Sequence, residues 1–316
     1  MSESKASQAK GQSSSPKTNR RRRTDQRVER NPVDDMVAGI TASDTYLELE
    51  RDEKLFDWLD SQRLSRTCGY VTASHSSGLL KACELYCRKR TVRRGRLFET
   101  PVKAICSNIY QPGEPLDLYD SALKVFGHPM QGVKDSLRNV RKRVRRTFKD
   151  YRLETLIIGN ADFLCPSSFN ELDVIFNAWN INVILTGTVR VANHLSDGTS
   201  DNEEIGLKNC LMGSHQFSDL PSPEDSSDFI DVIDNWEDKY LPGSYRLNLT
   251  SDESVVRYLY AKCDALLEVL YNLLRRIAIA TLVEEQYKGV KLDAQVLYKI
   301  LGAADYSEGS YKIRID

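Results

Sequence analysis

The chain has 316 residues, 41% hydrophobic and 28% charged, with a formal net charge of −1. That length holds one large domain or two modest ones and allows a sizeable core. No apolar run approaches the ~20 residues that span a bilayer, and the N-terminus lacks the apolar centre of a signal peptide, so a cytoplasmic protein without membrane contact is expected.

The near-neutral total hides an uneven placement. Basic residues crowd Lys17 to Arg30, Lys81 to Lys103 and Lys134 to Arg152, while Asp197 to Asp238 is acidic, with Lys208 its only Lys or Arg. A basic face suits a polyanion and an acidic face suits a basic partner, a second copy of the chain included. The 7 cysteines are odd in number and show no CxxC spacing. Without a histidine cluster beside them they read as reduced core thiols, and no metal is expected.

Residues 1–40 are polar and charged, which predicts a disordered basic tail; Arg20, Arg21, Arg22 and Arg23 are its densest cluster and need no fold to touch nucleic acid. Order is expected from about Thr45. A helix over "YLELERDEKLFDWLDSQRLS" leads to the strand "CGYVTAS". The helix "SGLLKACELYCRKR" and the strand "TPVKAICS" follow. Next come two helices, "EPLDLYDSALKVFG", opened by Pro115, and "VKDSLRNVRKRVRRTFKDY", with Val133, Leu137, Val140, Val144 and Phe148 as its apolar stripe. The strand "TLIIG", a helix through "FNELDVIFNAW" and the strand "INVILTG" complete an α/β alternation, which argues for a parallel sheet. After Gly187 the pattern changes: "SDGTSDNEEIG" and "SDLPSPEDSSD" read as acidic loop, and "DFIDVIDNWEDKYL" as a helix. From Ser251 onward it reads as helix throughout, with one long helix over "CDALLEVLYNLLRRIAIATLVEEQY". The expected division is a tail (1–40), an α/β core (41–245) and an all-helical domain (246–316).

Parallel sheets bind ligands at the C-terminal ends of their strands. The first strand-to-helix turn is "ASHSSGLL", Ala73 to Leu80. Set against GxxxxGK[ST], it keeps the second glycine, Gly78, but has Ala73 for the first. Leu79 replaces the lysine that neutralises phosphate, and Leu80 replaces the hydroxyl that holds Mg²⁺. The strand "TLIIG" would carry two carboxylates at its end in a nucleotide-hydrolysing domain; Gly159 and Asn160 stand there, and Asp162 follows three residues on, as a turn cap.

In order and spacing, "EKLFDWLDSQRLSRTCGYV", "KACELY", "TLIIGNAD", "NVILTGT", "NWEDKYLPGSYRLNLTS" and "LLRRIAIATL" resemble the TnsC/TniB family of AAA+ transposition regulators. The resemblance implies an AAA+ P-loop NTPase-like α/β core with a C-terminal all-helical lid. It also implies assembly on DNA between target-site proteins and a transposase. It puts the trans-acting arginine near "EEIGLKN", which has none, and the lid arginine near Val269. With all these functions missing, no turnover is expected, because one arginine finger alone is worth about 10³-fold or more. No cofactor is expected either, since Leu79 and Leu80 put apolar bulk where ATP would place charge.

The basic helix offers Arg138, Arg141, Lys142, Arg143, Arg145, Arg146 and Lys149 with few acidic i,i+4 partners, so a polyanion or an acidic neighbour is expected on it. The family's DNA-gripping loops correspond to "YQPGEPL" and "GHPMQGVK", which hold one cation, Lys134. Three functions follow. The first is a catalytically inactive AAA+ adaptor in transposition, joined to DNA, to an active AAA+ regulator, a target-selection protein or a transposase, as a homo- or hetero-oligomer. The second is a diverged ATPase using Lys81 and Asp162. The third is a plain nucleic-acid-binding module.

Overall fold

A computed structural model describes residues 31–42, 46–95, 97–110, 113–132, 135–196 and 211–301. Helix α1 (Pro32–Thr41) comes first, capped by Asn31, whose side chain accepts from the Val33 N–H, with Pro32 in the first turn. Helix α2 (Glu50–Ser65) starts where Asp52 accepts the Leu49 N–H at 2.8 Å, and it buries Leu55, Phe56 and Leu59. Strand β1 (Cys68–Thr72) runs into helix α3 (Leu79–Arg90). A short antiparallel hairpin of β2 (Arg93–Arg94) and β3 (Leu97–Phe98) precedes β4 (Ala104–Asn108). Helices α4 (Pro115–Val125) and α5 (Leu137–Tyr151) lead to β5 (Thr155–Gly159). The core ends with α6 (Pro166–Trp179), β6 (Asn182–Gly187), α7 (Val189–Ser196) and β7 (Leu211–Gln216).

The sheet order is β4-β5-β6-β1-β7, every pair parallel. Strand β5 shows how the layers form. Its residues are all buried, Leu156 and Ile158 packing with α4, α5 and α6, and Ile157 packing on the other face with α2 and α3. Each such side chain stabilises the fold by about 1.5–3 kcal/mol, which is why a run of consecutive apolar residues makes a central parallel strand. The expected α/β core is thus present. The apolar stripe of α5 is as expected where it is described: Val140, Val144 and Phe148 are buried; Val133 lies outside the described residues.

Helices α8 (Asp228–Tyr240), α9 (Glu253–Cys263), α10 (Leu267–Val283) and α11 (Ala294–Leu301) form the lid around Phe229, Trp236, Leu259, Leu274 and Ile277. Buried Glu237 ties α8 to the following turn by accepting the N–H groups of Asn248 and Leu249; burial raises its pKa.

Three expectations are corrected, and one segment gains elements. Residues 32–41 are not disordered: α1 buries Ile40 in the lid cluster; residues 1–30, with Arg20 to Arg23, lie outside the described residues. The lid does not begin at 246, because Ile40, Leu49, Leu220 and α8 share its apolar cluster. The segment after Gly187 also contains α7 and the edge strand β7, to which the sequence reading assigned no element. The long C-terminal helix starts at Leu267, because Asp264 and Ala265 both adopt positive φ and break it from α9. Among the described residues, no helix is long and apolar enough to cross a membrane. Six cysteines are described and none is in a disulfide, while Cys210 lies outside the described residues.

Candidate functional site: the cleft above the first strand

Strand order reverses around β1, so the crevice above its C-terminal end is where this topology receives a ligand. A cleft of about 500 Å³ lies there. It is lined by Ala73 to Leu80, by Asn160, Asp162 and Phe163, by Gly187 to Arg190, and by Glu268. The sequence-predicted residues Ala73, Gly78, Leu79, Leu80 and Asn160 therefore meet in one place. Gly159 lies beneath them, against Leu80. Val269 does not join them. It packs in the lid cluster, and its neighbour Glu268 reaches the cleft instead.

The loop joins β1 to α3 without the side chains of the phosphate-binding motif. Ala73 extends β1 by donating to the Gly187 carbonyl at 3.0 Å. Gly78 opens α3 at φ 92°, and a Cβ there would lie 3.1 Å from Leu267 and 3.2 Å from Tyr46, so glycine is required by conformation and by space. Leu79 is buried with Leu55, Val71 and Tyr86. Leu80 comes so near Gly159 that a Cβ at 159 would lie 2.7 Å from its Cδ2 and closer still to Asn108 Oδ1. The place where a hydroxyl and an aspartate would share Mg²⁺ thus holds an isobutyl group against a bare backbone, with Asn108 on the other side. Asn108 is fixed by donating to Glu84 at 3.0 Å. Asn160, at φ 55°, donates its amide to the Ile109 carbonyl at 3.1 Å and so pins the strand end. These residues do not fit a magnesium triphosphate: the lysine, the hydroxyl and both acids are replaced.

Lys81 and Asp162 are placed away from such a role. Lys81 does not line the cleft and stands 3.8 Å from Glu84. Asp162 lines it, but its carboxylate accepts the Thr188 N–H at 3.0 Å and the Thr188 hydroxyl at 2.8 Å. It caps the turn after β6, not the turn after its own strand.

Three residues that sequence reading missed shape the cleft. Arg190, in the first turn of α7, is its one Lys or Arg among the lining residues and is exposed. Its position directly after a strand end was the available signal. Glu268 donates its N–H to the Ser76 carbonyl at 3.1 Å, joining lid to loop. Arg51, 6% exposed, donates to the Ser77 carbonyl at 2.8 Å and the Ser218 carbonyl at 2.7 Å, with its guanidinium 4.6 Å from the Phe217 ring centre. Nothing in the local sequence around Arg51 marks this role.

The basic helix is more neutralised than its sequence implies. Arg141 forms a two-pronged pair with buried Glu171 on α6, whose carboxylate also accepts the Tyr119 hydroxyl. Arg143 pairs with Asp135 at 2.9 Å, and Arg146 lies 3.6 Å from Asp150. Arg138, Lys142, Arg145 and Lys149 are exposed and have no ion pair among the described residues. The acidic stretch is also partly used internally. Arg246 gathers Asp234, Glu237 and Asp238, and Asp219 accepts the Ser74 hydroxyl at 2.7 Å. Residues 197–210, with the "EEIGLKN" segment, lie outside the described residues.

The family model described as an AAA domain matches residues 54–195. A search of curated proteins finds no match. Among solved structures the chain is similar to the Orc1 protein of Aeropyrum pernix in complex with DNA, at 15% identity and TM-score 0.57, covering 83% of this chain and 68% of that one. It is similar to Cdc6p from Pyrobaculum aerophilum at 15% identity and TM-score 0.51, covering 82% and 67%. A Walker-type ATPase of Pyrococcus abyssi aligns at 12% identity and TM-score 0.50, covering 81% and 71%. At such identities the likeness is one of fold, and it agrees with the sheet order and lid described above. The match over residues 54–195 and the shared fold thus agree on an AAA+-like α/β architecture for the core.

Proposed function

We propose that this chain is a catalytically inactive AAA+ adaptor in DNA transposition, of the TnsC/TniB kind. It would link a target-selection protein, an active AAA+ regulator or a transposase on DNA, without ATP as a cofactor. One observation carries the inactivity: Leu80 packs against Gly159, where Mg²⁺ would need a hydroxyl and a carboxylate. Hydrolysis of a triphosphate depends on positioning and charge neutralisation, and none of the groups that provide them in this motif is here. The remaining cation, Arg190, is a single exposed charge beside the carboxylates of Asp162 and Glu268. Action on DNA is supported by the fold shared with the Orc1 protein of Aeropyrum pernix, solved in complex with DNA, and by the exposed cations of α5. The transposition setting rests on the ordered sequence resemblance.

Purified full-length chain, incubated with Mg²⁺, ATP and duplex DNA, is expected to release no phosphate above a buffer blank. In a reconstituted transposition mixture it is expected to capture the same partners with and without ATP. Phosphate release at an ordinary AAA+ rate, abolished by Gly78→Val, would falsify the inactive reading. Failure to capture any transposition protein would remove the adaptor role.

A further inference from the structure

A second groove lies at the opposite end of the sheet from the cleft. Helix α3 starts at the C-terminal end of β1 and carries the chain to the other edge, where the β2–β3 hairpin leads into the start of β4. The hairpin, the C-terminal end of α4 and one face of α5 enclose about 1020 Å³. Two basic segments that are far apart in sequence converge there. The hairpin brings Arg93, α4 brings Lys124, and α5 brings Lys142, Arg143 and Arg146, against a single carboxylate, Asp150. Residues 142 and 146 share this face because they are four apart on a helix; Arg138, Arg145 and Lys149 are outside it.

We propose that this groove binds the phosphate backbone of duplex DNA, independently of sequence. Arg143 and Arg146 each face one acid, Asp135 and Asp150, and among the described residues the other cations do not. Arg93 lies 4.2 Å from the Phe98 ring centre, and Lys124 and Lys142 are exposed and have no ion pair among the described residues. The local potential shows in His128, whose pKa is lowered by burial and by the charge of Arg143. The aromatic floor favours duplex over single strand. Phe98 and Phe126 are at most 9% exposed and pack on each other at 5.2 Å, so they offer unstacked bases no platform. The inference rests on the reading of the chain as a DNA-associated adaptor. Its test reads binding without nucleotide, so it can fail while the inactive cleft stands, and the reverse.

The test uses the full chain with Arg20→Gln, Arg21→Gln, Arg22→Gln and Arg23→Gln, which removes the tail's contribution. Anisotropy of a labelled duplex of arbitrary sequence is followed across salt concentrations. Two triple variants remove the same charge: Lys124→Gln/Lys142→Gln/Arg146→Gln in the groove, and Arg138→Gln/Arg145→Gln/Lys149→Gln outside it. The groove triple is expected to weaken binding at least about tenfold at low salt and to flatten the log–log salt slope by roughly 3, near 0.9 per cation lost. The outer triple is expected to shift the slope by less than about 1. Charge-keeping Lys142→Arg/Arg146→Lys should bind like the parent, which separates loss of charge from loss of fold. Equal losses from both triples, full binding by the groove triple, or binding of polyglutamate with no binding of duplex would each overturn the proposal.

Discussion

The contact between Leu80 and Gly159 can be measured as a coupling energy. Gly159→Ala adds one methyl group to a buried position. That carbon would sit 2.7 Å from Leu80 Cδ2 and nearer still to Asn108 Oδ1, so one neighbour has to move. Overpacking of this kind costs about 1–3 kcal/mol. If Asn108 turns away, its bond to Glu84 is lost as well, worth about 1 kcal/mol. The alanine recovers about 0.4–1 kcal/mol by stiffening the unfolded chain. A net destabilisation of about 2 kcal/mol is expected. Leu80→Ala alone should cost about 2 kcal/mol, at the low end for leucine because the side chain is only part-buried. The double variant should then be about 1 kcal/mol better than the sum, since the truncated Leu80 leaves room for the new methyl. Urea denaturation of the four proteins, with the same m value throughout, completes the cycle. A neutral or stabilising Gly159→Ala with no coupling to Leu80 would refute the reasoning. It would mean that position 159 has space for a side chain, and hence for an acid.

Arg51→Met keeps the apolar stem but removes the donors to Ser77 and Ser218, and should cost about 3 kcal/mol in the same assay, because charged hydrogen bonds are worth about 1.5–3 kcal/mol; an unchanged midpoint would show that the loop does not depend on it. His128 and His215 both have pKa values lowered from 6.5, chiefly by burial. Their contribution to stability is present above that value and is lost as pH falls through the lowered folded pKa. Thermal melts should decline more steeply between about pH 7 and 5 than those of His128→Gln/His215→Gln, and equal slopes would reject the assignment. Hydrogen exchange in the first turn of α10 should be the same with and without ATP, because that turn is bonded directly to the loop; hydrogen exchange slowed there by ATP would contradict the proposed loss of nucleotide binding.

Much of the fold was legible because it follows from periodicity. The run 156–158 reads as a strand and the spacing of Val140, Val144 and Phe148 reads as a helix face, and both are as read. Strand β7 was not, and its packing explains why. Gly213 lies opposite Gly69, and a Cβ on Gly69 would be 2.8 Å from both the Gly213 carbonyl and Trp58. This edge of the sheet needs small residues beneath a tryptophan, so "LMGSHQ" shows no alternation. Helix α1 did carry signals, Asn31 as cap, Pro32 and two acids in the first turn, but the composition of the preceding tail outweighed them. In the cleft, Leu79, Leu80, Gly159 and Asn160 were readable because a motif fixes what should stand at each position. Arg51, Arg190 and Glu268 belong to no motif and meet only through the fold. The same applies to α5. Its charge was visible, but the acids that neutralise part of it are Glu171, which is 30 positions from Arg141, and Asp135, which is 8 from Arg143.

On the proposed inactive reading, the cleft residues also decide how core and lid are joined. In a nucleotide-driven protein the ligand touches both core and lid, and it can shift the angle between them only by binding the two arrangements unequally. In this chain protein groups make that connection. Glu268 bonds to Ser76, Leu267 lies beside Gly78, and Arg51 holds Ser77 to the segment that leads into the lid. A ligand with equal affinity for two states shifts neither, and on the proposed reading the cleft has no phosphate grip through which ATP could favour one of them. On that reading the lid position would be set by the contacts of Glu268, Leu267 and Arg51, and partners would meet a constant surface. An adaptor has use for that constancy, and a motor does not. The DNA groove proposed at the far end of the sheet would likewise be open at all times, with occupancy set by salt and by partner concentration, not by a hydrolysis cycle.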